Sequence, residues 1–350
     1  MNTSDKSGAM AHWARLGAKA LLQLILLAGV IVMMFPFFWM LVSSFKSLTE
    51  VIARPEDPGL SGILSMFAPR QWLLGNYQQA WYVGIIDTNV TVWPEHVAQL
   101  GPLAIKWYDV PSAVPWYATI MARYFVNTVF VATSVLFGVL ATSVFAAYAF
   151  ARMEFFGKNA IFLLFLATMM IPFEVTMIPN FVIIRNIPFN TPPLPIFGYD
   201  LFGMPDKAGW YNTYAAQIVP WLASVFTIFM LRQFFLGIPQ DFYDAARIDG
   251  CGHLRYLVQI VVPLSRPALV TGGLMTFLGS WNSLLWPILV TGKADLRPIQ
   301  VGLSYFLAQE GSDYHLLMAA ATMTILPIAI LYFFGQRYFI EGIASSGVKG

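Results

Sequence analysis

Six stretches of this chain are too long and too free of charge to face water. Runs without Asp, Glu, Lys or Arg lie between Lys19 and Lys46, Arg123 and Arg152, Lys207 and Arg232, Arg266 and Lys293, and Asp313 and Arg337. A sixth, between Lys158 and Arg185, is interrupted only by Glu174. Each exceeds the ~20 residues a helix needs to cross ~30 Å of hydrocarbon. Backbone groups in lipid must be bonded internally, so helices are the natural spanning form; the ~10-residue alternating segments of a membrane barrel are missing. The chain is 58% apolar and 11% charged, against roughly one quarter charged in a soluble domain. The sequence thus predicts an all-α membrane protein with six transmembrane helices, at 17–45, 124–150, 159–184, 212–236, 267–291 and 316–339. The first run is longer than the roughly 7–15 residues of a signal core and no small-x-small site follows it, so it is expected to remain as an anchor.

An even number of spans puts both termini on one side, and basic residues choose the side. Lys6, Arg15 and Lys19 stand at the N-terminus, up to the start of the first span; Arg152 and Lys158 flank the loop after the second; Arg247, Arg255 and Arg266 follow the fourth; Arg337 and Lys349 close the chain. These short, basic pieces are expected in the cytoplasm: 1–16, the loop 237–266 and the tail 341–350. Residues 123–340 form the membrane core, and 46–122 and 186–211 are extracytoplasmic. The first outer piece holds Trp72, Trp81, Trp93, Trp107 and Trp116 among Pro55, Pro58, Pro69, Pro94, Pro102, Pro111 and Pro115. Prolines at this density argue against one long helix, while the tryptophans favour order at the membrane surface or against the helices. The second holds Pro188, Pro192, Pro193, Pro195 and Pro205. A net charge of +2 gives no reason to expect nucleic acid, and the single Cys251 allows no intrachain disulfide.

The polar island Gln240–Gly250 stands between two apolar segments and asks for a reader in the water phase. Pro239 ends the fourth span, and Asp241 is expected as N-cap of a short helix. Asp244 then falls in the first turn, where the helix dipole favours an acid. Ala245 and Ala246 leave a smooth face for a close partner, and Gly250 turns the corner with positive φ. From His253 a second helix carries Leu254, Leu257, Ile260 and Val261 toward Pro263 and Pro267. An interfacial hairpin that merely joins two spans is the plainer reading of this pattern.

The spacing Asp244-Ala245-Ala246, three residues, Gly250, nine residues, Ile260, one residue, Val262-Pro263 closely resembles the EAA loop of ABC importer permeases. That pattern reads Glu-Ala-Ala-x3-Gly-x9-Ile-x-Leu-Pro; Asp244 and Val262 are the departures. Gly279-Ser280-Trp281-Asn282-Ser283-Leu284-Leu285-Trp286-Pro287 resembles the helix-five signature of carbohydrate permeases of the maltose inner-subunit type. So do the segments 146–152, 170–179 and 231–235 and the C-terminal Val348-Lys349-Gly350. The resemblance covers most of 17–81 and 121–350, with insertions at about 82–120 and 187–210. It implies a type I ABC importer permease fold in a bacterial or archaeal cytoplasmic membrane. It also implies an extracytoplasmic solute-binding protein, a second and usually non-identical permease subunit, and two cytoplasmic ATPases that each receive one coupling helix. Here the coupling residues would be Asp241, Asp244, Ala245, Ala246, Arg247, Asp249 and Gly250. The solute would be a sugar, an oligosaccharide, or a polyol or glycerol phosphate, and the insertions would enlarge the platform for the binding protein.

No Gly-x4-Gly-Lys-Ser/Thr phosphate loop is present, so ATP and Mg are expected on the partner ATPase and no cofactor in this chain. His12, His96, His253 and His315 show no metal spacing, and Cys251 has no base beside it to make it a nucleophile. Candidate residues of a solute pathway are Glu174, Trp281, Asn282 and Trp286. An acid in a span is functional by default, but Glu174 lies between Pro172 and Pro179, where capping a broken helix is the other reading. Aromatic faces and an amide suit a sugar path, while Asn in a span is also common as glue between helices. The rival class is an ion-coupled secondary transporter using Glu174, which would call for paired intramembrane charges and inverted repeats. A membrane enzyme would call for clustered acids or histidines, and none are visible.

Overall fold

The computed structural model describes residues 3–53, 59, 62, 66–82, 95–100, 103–108, 119–187, 195–196, 199–200, 209–308 and 313–347. Trp93, Trp116, Pro55, Pro58, Pro94, Pro102, Pro111, Pro115, Pro188, Pro192, Pro193, Pro205 and the Val348-Lys349-Gly350 tail lie outside the described residues, as does most of the two insertions. The described chain forms two compact units, one from residues up to 80 with 95–108 and 313–322, the other from 81–82, 119–308 and 323–347.

The first unit begins with helix α1, Thr3–Ser43, whose segment Leu16–Ser43 is long and apolar enough to span and is almost wholly exposed on this chain. After α1 the Asn76 amide donates to the carbonyls of Ser44 and Lys46, both at 2.8 Å, and ties the turn to helix α3, Gly75–Trp81. Ser47 caps the short α2, Leu48–Ile52, by accepting from Glu50 N. Phe45 packs on Trp72 and Tyr77 at ring separations of 5.0 and 5.3 Å. Lys46 is buried, donates to the Met66 carbonyl and faces the Trp39 ring at 5.3 Å. Burial pushes its ammonium down, with Glu50 partly opposing.

The membrane part is helical, as the all-α expectation has it, but the segment between the first two expected spans adds a small sheet that periodicity did not reveal. Strand β1, Trp72–Leu73, runs parallel to β3, Leu103–Tyr108, which pairs antiparallel with β2, Glu95–Leu100. The order is β1-β3-β2. Strand β1 has only two residues, and β2 and β3, with six each, do not alternate apolar with polar, so none could be read from sequence. A second two-stranded pair, β4 Pro195–Ile196 with β5 Tyr199–Asp200, lies in the segment after the third expected span.

In the second unit α4, Ile120–Arg152, runs for 33 residues, begun by the Thr119 hydroxyl accepting from Ala122 N. The expected single span 159–184 is instead two helices, α5 Lys158–Thr168 and α6 Phe173–Arg185, bent by 99°. Pro172 supplies no N–H and disfavours helix at the residue before it, so the chain breaks there. The span 212–236 is likewise interrupted. Helix α7, Tyr214–Ile218, passes through a 3-10 turn at Val219–Trp221 before α8, Val225–Leu236, restarts on a Ser224 cap. Beyond α9, Gln240–Ile248, helix α10, His253–Leu264, contains a π turn at Leu257–Val261 just ahead of Pro263. It meets α11, Arg266–Trp281, at 81°. The span 267–291 also divides, because the chain leaves helix at Asn282–Leu284 before α12, Leu285–Val290. Helix α13, Ile299–Ala308, was not foreseen, and α14, Tyr314–Gly347, closes the fold. Among the described residues, four segments are individually long and apolar enough to cross a membrane, or up to six if each bent pair counts as one.

Helix α4 packs along both α8 and α11, and small residues permit the close approach between helices that lipid-facing folds require. A Cβ at Gly272 on α11 would lie 2.8 Å from Met230 Cε and 3.0 Å from Thr227 Cγ2 on α8. Gly272→Leu is therefore expected to destabilise the protein by about 1–3 kcal/mol through overpacking, read as a lower unfolding temperature in detergent. The same change at Gly29, where a Cβ meets nothing within 4 Å, leaves that temperature unaltered.

Candidate functional site

Two features of the second unit stand out chemically: an exposed elbow at one end of α4 and a cavity along its other half. At the elbow, Asp241 is not the N-cap. Pro239 takes that place without a side-chain cap, because its fixed φ of −56° already sets the chain for the helix, and Asp241 falls in the first turn. Asp244, expected in that turn, instead lies beyond it because the helix begins at Gln240, and it is exposed with Gln240 Nε2 at 3.5 Å. The two alanines divide: Ala245 faces outward, whereas Ala246 is buried against Tyr256 and Leu257. Arg247, Ile248 and Asp249 are exposed, Ile248 to 87%.

The corner closes with a Schellman pair. Gly250 N donates to the Arg247 carbonyl at 3.1 Å and Cys251 N to the Ala246 carbonyl at 2.8 Å, with Gly250 at φ 74°. Those bonds satisfy carbonyls the helix end would otherwise leave orphaned. Tyr243 lays its ring against Tyr256 at 5.1 Å and against His253 at 5.7 Å. Tyr148 on α4 bonds His253 Nδ1 at 2.9 Å. Burial pushes the Tyr256 phenol up, with Arg152 opposing, so it stays neutral in the apolar cluster.

Arg152, the last residue of α4, holds this elbow to the helices. Its Nη1 donates to Gln240 Oε1 at 2.8 Å, and its Nη2 to the carbonyls of Phe235, at 2.8 Å, and Ile238. Arg232 repeats the device one turn away: Nε reaches the Phe150 carbonyl at 3.2 Å while the guanidinium lies 4.2 Å over the Phe162 ring. The ends of α4 and α8 and the start of α9 are therefore one packed body. Sequence reading quoted the segment ending in Arg152 but did not see what the guanidinium binds.

The cavity has a volume of about 610 Å³. It lies where three helices break: at Phe173 opening α6, at Trp221–Ser224 before α8, and at Asn282–Leu285 between α11 and α12. Thr128, Val131, Val135 and Val139 of α4 form a further wall. Trp286 is buried, donates Nε1 to the Ala216 carbonyl at 2.9 Å, and meets Trp221 edge-on at 5.9 Å. Asn282 is exposed, bonded through Nδ2 to the Leu278 carbonyl and through Oδ1 to Gln300.

The structure thus brings Asn282 and Trp286 of the expected pathway residues to the cavity and leaves the other two elsewhere. Trp281 is 1% exposed and packs between Phe125 and Phe277 at 5.8 and 5.5 Å, in the core beside Ala132. Glu174 is exposed in the first turn of α6 and does not line the cavity, although its neighbour Phe173 does. Gln217, Ser280 and Ser283, which line it, were not singled out from sequence. For Gln217 the signal was a lone polar residue in an apolar run; for the two serines, their place in the motif around Asn282.

Residues 135–345 match the family described as binding-protein-dependent transport system inner membrane component. The arabinooligosaccharides transport system permease protein AraQ of Halalkalibacterium halodurans is 37% identical over 227 residues, covering 65% of this chain and 74% of that protein. The sn-glycerol-3-phosphate transport system permease protein UgpE of Brucella abortus is 26% identical, covering 93% of this chain and 95% of that one. Among solved structures, a chain of a bacterial ABC transporter involved in the import of the acidic polysaccharide alginate superposes with a TM-score of 0.62 at 19% identity, covering 97% of this chain and 99% of that one.

Arg152→Ala is expected to cost about 2–3 kcal/mol, the scale of charge-assisted bonds removed from partly buried acceptors, seen as a lower unfolding temperature in detergent. Arg152→Lys recovers less than half of it, since an ammonium cannot fork across three acceptors.

Proposed function

This chain belongs to the binding-protein-dependent transport system inner membrane components, and on that premise we propose that it forms half of a carbohydrate pathway driven through the elbow at Gln240–Gly250. It is the permease subunit of an ABC importer, a multi-pass protein of the cytoplasmic membrane. The observation that carries the finer reading is mechanical. Helix α4 walls the cavity with one half and, about 20 Å further along at 1.5 Å per residue, ends on the guanidinium that grips the elbow.

In this reading the termini and the elbow face the cytoplasm, where two ATPase subunits bind ATP and Mg and one of them seats α9. Asp241, Asp244, Ala245, Arg247 and Asp249 meet it from the exposed face. Ala246 instead packs inward, and Gly250 sets the corner. The exposed Phe242 and Ile248 supply the apolar part of that contact. When the ATPases close, α9 moves as a rigid body and Arg152 carries the displacement into α4 and α8. Packed interfaces of this kind switch between discrete arrangements rather than bending continuously. The companion permease supplies the other half of the pathway, and a binding protein delivers solute to the outer face.

Family membership removes the support for an ion-coupled transporter, and Glu174 offers such a mechanism no partner at the cavity. Its carboxylate, in the first turn of α6, instead suits the positive end of that helix. Carbohydrate is favoured by the arabinooligosaccharide permease relative and by a wall of aromatic rings and hydroxyls. The glycerol phosphate relative leaves the charge of the solute as the open question of specificity.

Asp244→Lys and Gly250→Pro are each expected to abolish solute uptake while the protein still inserts in the membrane, measured by radiolabelled uptake beside quantitative blotting of membrane fractions. Normal uptake by both variants would rule the elbow out as the coupling element. Deleting 82–120 is expected to weaken binding-protein docking, measured as a raised dissociation constant; an unchanged constant removes that segment from the docking platform.

A further inference from the structure

Among the described residues that line the cavity, none carries an ionisable side chain. On this subunit's side, a solute bearing phosphate or carboxylate would leave water beside groups that cannot neutralise it, at a cost of several kcal/mol. What the wall does offer suits an uncharged ring. Trp221 presents aromatic surface, backed by the buried Trp286, and Ser280 and Ser283 present hydroxyls.

Gln217 adds a latent acceptor. It is 2% exposed, and its Nε2 is fixed on the Leu296 carbonyl at 3.0 Å. That bond leaves Oε1 without a hydrogen-bond partner among the described residues and sealed behind the cavity surface. A buried acceptor without a donor costs about 1–3 kcal/mol, a penalty removed when the side chain turns Oε1 toward a donating hydroxyl in the cavity. A volume of about 610 Å³ lies inside the roughly 300–1,000 Å³ of small-molecule sites and admits about two or three sugar rings.

From these observations we infer that this subunit carries a solute subsite of its own, selective for a neutral saccharide over a phosphorylated or uronic one. Ser280 and Ser283 exchange hydrogen bonds with the ring hydroxyls, Trp221 covers the apolar face, and Gln217 turns its amide so that Oε1 accepts from a further hydroxyl. The inference rests on the importer reading and narrows its substrate class.

The test compares Ser280→Asp with Ser280→Asn, two side chains of nearly equal size that differ in charge. Each is assembled with the companion permease, the ATPases and the binding protein in proteoliposomes. The substrate is a labelled neutral trisaccharide that the binding protein captures. S280D is expected to take up the sugar at least about tenfold more slowly than S280N, because a buried fixed charge has no counterion there. Burial raises a carboxyl pKa, so lowering the pH protonates the introduced group and closes the gap between the variants. Equal recovery of S280D and S280N in the purified assembly at neutral pH separates this effect from misfolding. Equal uptake by the two variants at neutral pH, or a gap indifferent to pH, overturns the inference and gives the space to companion side chains or lipid. ATP hydrolysis by the wild-type assembly, with and without loaded binding protein, tests the importer reading separately: absence of stimulation sinks that reading, whatever the variants do.

Discussion

Hydrocarbon offers no hydrogen bonds, and that constraint organises this molecule. Each backbone amide at membrane depth must be satisfied by its own helix or be sheltered where something else can satisfy it. Three of the expected spans nevertheless break, near Pro172, after Trp221 and at Asn282–Leu284. All three breaks meet at one place and form the wall of one cavity. Irregular backbone is tolerated there because it is enclosed by protein. Ser224 supplies the cap for α8, Trp286 bonds the carbonyl of Ala216, and Asn282 bonds that of Leu278. The breaks therefore read as the means by which polar groups reach a path through an otherwise apolar bundle.

The elbow is built on the opposite logic. Where the cavity is made of interruptions, the elbow is over-determined. A Schellman turn, a buried alanine, a ring cluster and a forked guanidinium all fix α9 against α4 and α8. Rigidity suits an element whose proposed work is to carry displacement. Small shifts at one end of packed helices become discrete rearrangements at the other because interiors are close-packed. The exposed side of α9 keeps Asp241, Asp244, Ala245 and Arg247 free for a partner.

The class of the fold was legible because charge-free runs of this length have one solution in lipid, and the elbow was legible because its residues keep a fixed spacing. Pro172 and Pro179 hinted at an interrupted third span, and Pro287 removes the N–H that would bond the Ser283 carbonyl, but the extent of the break at Asn282–Leu284 was not readable locally. That extent follows from what surrounds those residues, and propensity is too weak to show it. Trp281 and Trp286 look alike in sequence, five residues apart in one motif. The structure buries the first among Phe125 and Phe277 and sets the second at the cavity, a difference of helix phase across a break. Asp241 was misplaced by two positions at the helix start, because Pro239 had been read as a stop alone when it also begins the next helix. The small sheet escaped notice because β1 has only two residues and gains its order from pairing with β3.

The central claim is that the elbow and the cavity are two ends of one moving body. The direct measurement is thiol accessibility at the cavity wall in the assembled transporter. Ser283→Cys, in a background where the single native Cys251 is replaced by Ser, is labelled from outside with a charged, membrane-impermeant reagent, first at rest and then with the ATPases trapped closed. The account predicts a change in labelling rate of at least about tenfold, lost when Gly250→Pro disables the elbow. A rate that is the same in both states, or a change that survives Gly250→Pro, would contradict it.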